Sequence, residues 1–160
     1  MNQNRRAFLD MIAFAEGTGH LGDRGYNAIV GGKLFDGYAD HPRKTVQIAP
    51  KLKSSAAGRY QILMRYFDVY RALLGLPDFS PESQDRIAIA MIRECGALDD
   101  VDCGRVMQAV RKCRSRWASF PGAGYHQRER AMEDLLRAFR GAGGIICEER
   151  RERDNIISKK

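Results

Sequence analysis

The chain has 160 residues, 44% of them hydrophobic and 29% charged, which is enough for one ordinary folded domain to bury a core without disulfide or metal support. No apolar run approaches the ~20 residues that a spanning helix needs, so stable membrane insertion is excluded. The net charge of +7 favours polyanionic partners but does not choose among nucleic acid, anionic membrane and acidic cell-wall polymer, because the basic residues are spread along the chain rather than gathered in a stripe.

The N-terminal residues Met1 to Arg6 are polar and basic, and the amphipathic stretch after them carries Asp10. It lacks the uncharged apolar centre of a signal peptide, so synthesis and folding in the cytoplasm are expected. Residues 5–16 form the first predicted helix, with Phe8, Leu9, Met11, Ile12 and Ala15 on an apolar face. Gly17, Gly19 and Gly22 end it and leave Glu16 as its last residue.

Residues 25–48 change character. The Gly31-Gly32 pair between short β-prone runs predicts a hairpin, and Thr45–Ile48 a third strand, giving a small antiparallel sheet of two or three strands. Pro42, in Asp40-His41-Pro42-Arg43, interrupts regular structure between them. Residues 50–58 are expected to be a mobile loop.

The helical period then returns. Tyr60, Leu63, Phe67, Tyr70 and Leu74 form a stripe that stops at Gly75. Ser80 and Pro81 are the cap and first residue of the next helix, which carries Ile87, Met91 and Ile92. A further helix is expected from about Asp102 through Val106, Val110 and Cys113 to Trp117. Pro121–Tyr125 is a tight loop, and the last helix carries Met132, Leu135, Leu136 and Phe139 up to the Gly141–Gly144 cluster. These elements predict an α+β fold, mainly helical, with a small antiparallel sheet between helices one and two and a two-lobed shape with a cleft. Residues 1–146 are the expected domain, and 147–160 a charged, disordered tail.

Four cysteines are present: Cys95, Cys103, Cys113 and Cys147. No C-x-x-C pair occurs, and His20, His41 and His126 lack ligand spacing, so neither a metal nor another cofactor is expected. The cysteines are expected to be reduced, two of them in the core. Cys95 and Cys103 have a spacing that could bridge in an oxidising compartment.

Cleaving a glycosidic bond requires a carboxylic acid still protonated near neutral pH. Glu16 fits: it closes a helix, where the helix dipole disfavours added negative charge, and apolar Ile12 and Ala15 lie beside it. By position alone, a surface glutamate before a turn fits equally well. Two-acid glycosidases place a second carboxylate roughly 5 Å (retaining) or 6.5–9.5 Å (inverting) from the first. Asp23, Asp36 and Asp40 are the candidates, and no pattern singles one out. The Asp and Thr of the T4-type phage lysozymes would fall on Gly25 and Gly31, which argues against that mechanism.

Several segments, in order, carry a resemblance: Arg6–Met11, Glu16-Gly17-Thr18, Gly25-Tyr26, Ile29–Gly32, Asp40–Lys44, Pro50–Ser54, Gly58–Gln61, Asp78–Pro81 and Pro121–Tyr125. Together they resemble the lambda lysozyme-type family of phage endolysins over about residues 4–144. The resemblance implies a lysozyme-like fold and a lytic transglycosylase that cuts the bond between N-acetylmuramic acid and N-acetylglucosamine in peptidoglycan. Glu16 falls on the family's catalytic glutamate, acting first as acid and then as base on the muramic C6 hydroxyl, which explains why no second acid is needed. Gly58–Gln61 resembles the Gly-x-x-Gln element at the start of the second long helix. Lys51–Gly58 and Pro121–Tyr125 match the two lips of the cleft.

Ser54, Tyr60, Gln61, Tyr125 and Gln127 are the expected substrate-binding residues. From the residues alone, Tyr60 and Tyr125 would be read as packing aromatics. His126 stands where family members carry glycine, and Gly19–Arg24 does not follow the family pattern. A monomer is expected, held in the host cytoplasm until a holin permeabilises the inner membrane and then acting at the cell wall. Two other readings remain at this point: a hydrolytic muramidase on the same scaffold, and a non-catalytic basic module for wall polymer or nucleic acid. The latter lacks any recognisable nucleic-acid motif.

Overall fold

The computed structural model describes residues 1–124 and 129–147. Along the chain run α1 (Gln3–Glu16), β1 (Val46–Ala49), β2 (Leu52–Ser54), α2 (Met64–Leu74), α3 (Pro81–Glu94), α4 (Leu98–Asp102), α5 (Val106–Cys113) and α6 (Met132–Gly141). The architecture is the expected mainly helical α+β arrangement, with the sheet between the first two helices.

α1 is the central element. The Asn2 side chain caps it by accepting the Arg5 N–H at 2.8 Å, and Arg5 anchors it to Asp102 at 2.5 Å. Ala7 and Ala13 are buried as well as the predicted face, because α3, α4 and α6 all pack around this helix. Phe8 meets Phe120 edge to face, with ring centroids 6.4 Å apart. Gly17, at φ 71°, ends the helix in the left-handed region that a side chain would resist.

The sheet differs from the sequence expectation. The hairpin across Gly31-Gly32 is reduced to a single bridge, Ala28 to Leu34. The Val30 N–H bonds instead to Ala56 O (3.0 Å), and Ile29 bridges Ala57, so this segment's backbone is satisfied by a distant one rather than by a lengthening hairpin. The third predicted strand is present as β1. Its antiparallel partner, β2, lies in the segment expected to be a loop, with Val46 opposite Ser54 and an irregularity between Gln47 and Ala49. The hairpin of β1 and β2 is mostly solvent-facing, with Ile48 and Leu52 exposed.

α2 begins at Met64, so Gly58–Gln61 does not open it. Those residues form a tight turn closed by the Ala57–Ile62 bridge, with Gly58 at φ 76° and Gln61 at φ 51°. The buried Gln84 side chain fixes the turn. Its Oε1 accepts the Arg59 N–H (2.9 Å), and its Nε2 donates to Tyr26 O (3.0 Å) and Phe79 O (2.8 Å). α3 starts as expected, with Ser80 accepting the Ser83 N–H and Pro81 in the first turn.

The helix expected over 102–117 is present only as α5, over 106–113; Asp102 instead closes a separate short helix, α4, and the two are parted at Gly104 (φ 74°), where the chain at Ile145 to Cys147 passes too close for a side chain. α6 buries Leu135 and Phe139 and ends at Gly141. Of the four cysteines, Cys113 is in the core and Cys95 is half-buried against it, while Cys103 and Cys147 are exposed. Residues 148–160, nearly all of the expected tail, lie outside the described residues. No helix among the described residues is long and apolar enough to cross a membrane.

Candidate active site

Three chain segments meet at the end of α1. The first is Glu16 to Thr18. Beyond the Gly17 turn, Thr18 is buried, and its hydroxyl donates to Arg59 O at 2.6 Å. That bond joins the end of α1 to the second segment, the Gly58–Gln61 turn. The third runs from Trp117 to Ser119. Trp117 Nε1 donates to Tyr60 O (3.2 Å), and Ser119 Oγ donates to Glu16 Oε1 (2.6 Å).

A polar network braces the turn from beneath. The Arg59 guanidinium pairs with Asp10 (2.5 Å), donates to Arg24 O and lies 5.2 Å from the Tyr26 ring centroid. The Tyr26 and Tyr60 hydroxyls both donate to Asp85 Oδ1, at 2.9 and 2.5 Å. Arg130 braces the other side. Its backbone N–H donates to Ser119 O (2.8 Å), its Nε donates to Ala15 O (3.2 Å), and its guanidinium lies over Phe14. The Glu129 carboxylate accepts from Gly122 N–H and Gly124 N–H, folding the loop after Phe120 back on itself.

Glu16 is half-buried as a residue, and its carboxyl is the part packed into this junction, against Ser119. Burial pushes its pKa up to about 7, against the opposing pull of the Ser119 hydrogen bond and the Arg130 charge. It is therefore substantially protonated near neutrality, the state a general acid requires.

The other acids weighed from the sequence are engaged elsewhere or open to solvent. Asp23 accepts from the Tyr38 hydroxyl (2.8 Å). Asp40 pairs with Arg43 (2.7 Å) and Arg71 (3.4 Å), and Asp36 is exposed. The groups that act on Glu16 are Ser119 and Arg130, neither of which is an acid. His41, read as part of a turn, is a core residue. Its Nδ1 accepts the Arg43 N–H, its Nε2 faces Ile62 O, and its ring packs on Phe67 and Phe79.

The expected binding residues separate. Gln61 is half-buried on the turn joined to Glu16, with its Nε2 on Gly58 O at 3.0 Å. Ser54 is half-buried at the end of β2, accepting the Ala56 N–H. Tyr60 points the other way: it is 2% exposed, with its hydroxyl on Asp85, so its ring offers no face to a sugar and its role is to support the turn. Tyr125 and Gln127 lie outside the described residues, as does His126. Sequence reading missed Ser119, Arg130 and Thr18, whose roles depend on contacts between distant segments.

The Ser119 hydroxyl holds the Glu16 pKa down. Ser119→Ala should therefore move the alkaline limb of the activity profile to higher pH, because the acid stays protonated longer. The rate of whatever reaction Glu16 catalyses, followed from pH 5 to 9, measures this, and an unmoved limb would remove Ser119 from the tuning of Glu16.

A family model described as Endolysin matches residues 6–146. The endolysin of Escherichia phage lambda is 51% identical over 152 residues, covering 92% of this chain and 96% of the relative. The endolysin of Escherichia phage P2 is 48% identical over 157 residues, covering 90% and 95%. Among solved structures, bacteriophage lambda lysozyme complexed with a chitohexasaccharide matches with a TM-score of 0.89 at 52% identity, covering 92% of this chain and 98% of that one. A second lambda lysozyme structure matches at 0.85 and 51% identity, with the same coverage. The lysozyme-like fold expected from the sequence is the fold of this chain.

Proposed function

Because this chain belongs to the endolysin family, we propose that it is a peptidoglycan lytic transglycosylase that lyses the host, with Glu16 as its one acid/base. Glu16 gives its proton to the oxygen linking N-acetylmuramic acid to N-acetylglucosamine, and the bond from muramic C1 to that oxygen breaks. The muramic C6 oxygen then bonds to C1, and its hydroxyl proton passes to Glu16. The enzyme returns to its starting state, no water is consumed, and the product ends in a 1,6-anhydro ring.

The observation that carries this reading is the buried Glu16 carboxyl, whose pKa of about 7 suits donating and then accepting a proton at one pH. Asp23 and Asp40, tied to Tyr38 and to arginines, leave no obvious second acid among the described residues. The chitohexasaccharide bound to the lambda lysozyme supports a glycan strand as ligand. On this reading Gln61 and Ser54 contact the strand from one side, Tyr125 and Gln127 from the other, and Tyr60 acts through the turn it supports. The enzyme works as a monomer, waits in the host cytoplasm and reaches the wall after a holin opens the inner membrane.

Product mass decides between this and a hydrolytic muramidase. Digests of purified sacculi should contain fragments with anhydro ends, one water lighter than hydrolysed fragments. Reducing ends alone would establish hydrolysis instead.

A further inference from the structure

α2 buries Phe67 and Tyr70 and leaves its opposite side in solvent. Arg65, Val69 and Leu73 follow there at intervals of four, a row along one face. Val69 and Leu73 are 60% and 66% exposed, an unusual cost for two large apolar side chains in adjacent turns. Where α2 ends lies a cavity of about 320 Å³, walled by Leu74, Ile89 and Ala90 and flanked by Arg5, Arg86 and Arg93. Arg86 Nη2 donates to Leu74 O (2.8 Å), which holds its guanidinium at the end of α2. Arg93 follows Arg86 two turns later on α3, and both are exposed.

The charge on this side is positive and uncompensated. Arg65, Arg86 and Arg93 form no ion pair among the described residues. Asp85, which also lines the cavity, is taken up by the Tyr26 and Tyr60 hydroxyls, and Asp102 by Arg5. Asp68 and Glu94, on the same two helices, hold Arg43 and Arg116. Unpaired guanidiniums beside exposed apolar side chains suit a partner that is anionic at its surface and apolar just beneath it. A nucleic acid or an acidic wall polymer would engage the arginines but gain nothing from Val69 and Leu73.

We propose that the outer row of α2 and the cavity at its end form a docking surface for an anionic phospholipid bilayer. Val69 and Leu73 enter the boundary between headgroups and acyl chains. Arg65, Arg86 and Arg93 meet lipid phosphates, and Leu74, Ile89 and Ala90 line the space for the glycerol part of one lipid. The contact is peripheral, since no helix among the described residues could span a membrane. Arg5, beside the cavity, and Glu16 stand at opposite ends of α1, roughly 16 Å apart along its axis, so docking leaves the Glu16 end free. The proposal does not rest on the lytic reading above, so lipid binding and product analysis succeed or fail separately.

The test sediments the full chain with vesicles of mixed phosphatidylglycerol and phosphatidylcholine, or of phosphatidylcholine alone. Binding is expected only to the mixed vesicles. Val69→Gln with Leu73→Gln, at exposed helical positions, should keep a thermal midpoint close to the parent's and weaken that binding by about tenfold. Arg86→Gln with Arg93→Gln should weaken it by about 25-fold, at roughly fivefold for each arginine. Arg111→Gln with Arg140→Gln removes the same charge at exposed positions on α5 and α6, and should cost about threefold at most. Equal binding to both vesicles, binding to neither, a Val69 and Leu73 variant that binds like the parent, or a control pair that loses as much as Arg86 and Arg93 would each overturn the proposal.

Discussion

Glu16→Gln is expected to abolish lysis of purified sacculi while making the folded protein more stable at alkaline pH. General acid or base catalysis contributes about 10²–10⁴-fold, and here one carboxyl performs both, so the loss should reach the upper end of that range or pass it. Glutamine keeps the size of the side chain and can still meet the Ser119 hydroxyl, so glycan binding should survive. A non-catalytic binding module would bind sacculi and lyse them in neither form.

The stability change follows from the same burial. The folded pKa of Glu16 is about 7, against an ordinary 4.5. Protonated Glu16 therefore contributes stability that is fully present below about pH 4.5 and is lost as pH rises through about 7. Glutamine cannot ionise and does not lose it. The variant should exceed the parent by roughly 1–3 kcal/mol at pH 8, at 1.36 kcal/mol per pKa unit, and match it near pH 4. Urea unfolding at the two pH values measures this difference.

Gly58→Ala is expected to be the most damaging small substitution near the site. Gly58 sits at φ 76°, and an added Cβ would overlap Gln84 Oε1, stand 2.7 Å from its Cδ and 3.0 Å from Phe79 Cζ. Gln84 cannot step aside without breaking its bonds to Arg59, Tyr26 and Phe79. Left-handed backbone costs about 1–2 kcal/mol, and disrupted buried hydrogen bonds about 1–3 kcal/mol each, so a total loss of ~3–5 kcal/mol is expected. Gly32→Ala is the control. It has a similar φ of 85° but open space around the new atom, so it should show the backbone cost alone. Equal urea midpoints for the two variants would mean that Gln84 does not fix the turn. Activity should fall with Gly58→Ala even where the protein stays folded, because the displaced turn carries Gln61 and accepts the Thr18 and Trp117 hydrogen bonds.

What the sequence made legible was set by local chemistry. The apolar face of α1, its stop at Gly17 and the Ser80-Pro81 start of α3 are all signals written within a few residues of the feature they mark. Glu16 was therefore identified as the last residue of a helix with apolar neighbours. The failures arose where distant segments override local preference. Gly58–Gln61 reads as a helix start, but buried Gln84 binds the Arg59 N–H and the Ala57–Ile62 bridge closes the turn, in which Gln61 is left-handed. The 50–58 stretch reads as a loop, but its Leu52–Ser54 pairs with Val46–Ala49. Tyr60 reads as a substrate-binding residue by resemblance and as a packing aromatic from the residues alone, and its burial, with its hydroxyl on Asp85, fits the second. Ser119 and Arg130 carry no local mark of function, since each acquires its role by meeting the end of α1 from the far end of the chain.

The central claim is that one buried carboxyl is kept protonated at neutral pH, ready to act first as acid and then as base. Carbon NMR of selectively labelled glutamate side chains, with Glu16 assigned by its absence in Glu16→Gln, measures that directly. The expected Glu16 titration has its midpoint near pH 7, well above the ordinary glutamate value. A midpoint near 4.5 would leave Glu16 ionised at neutral pH and contradict its role as the proton donor.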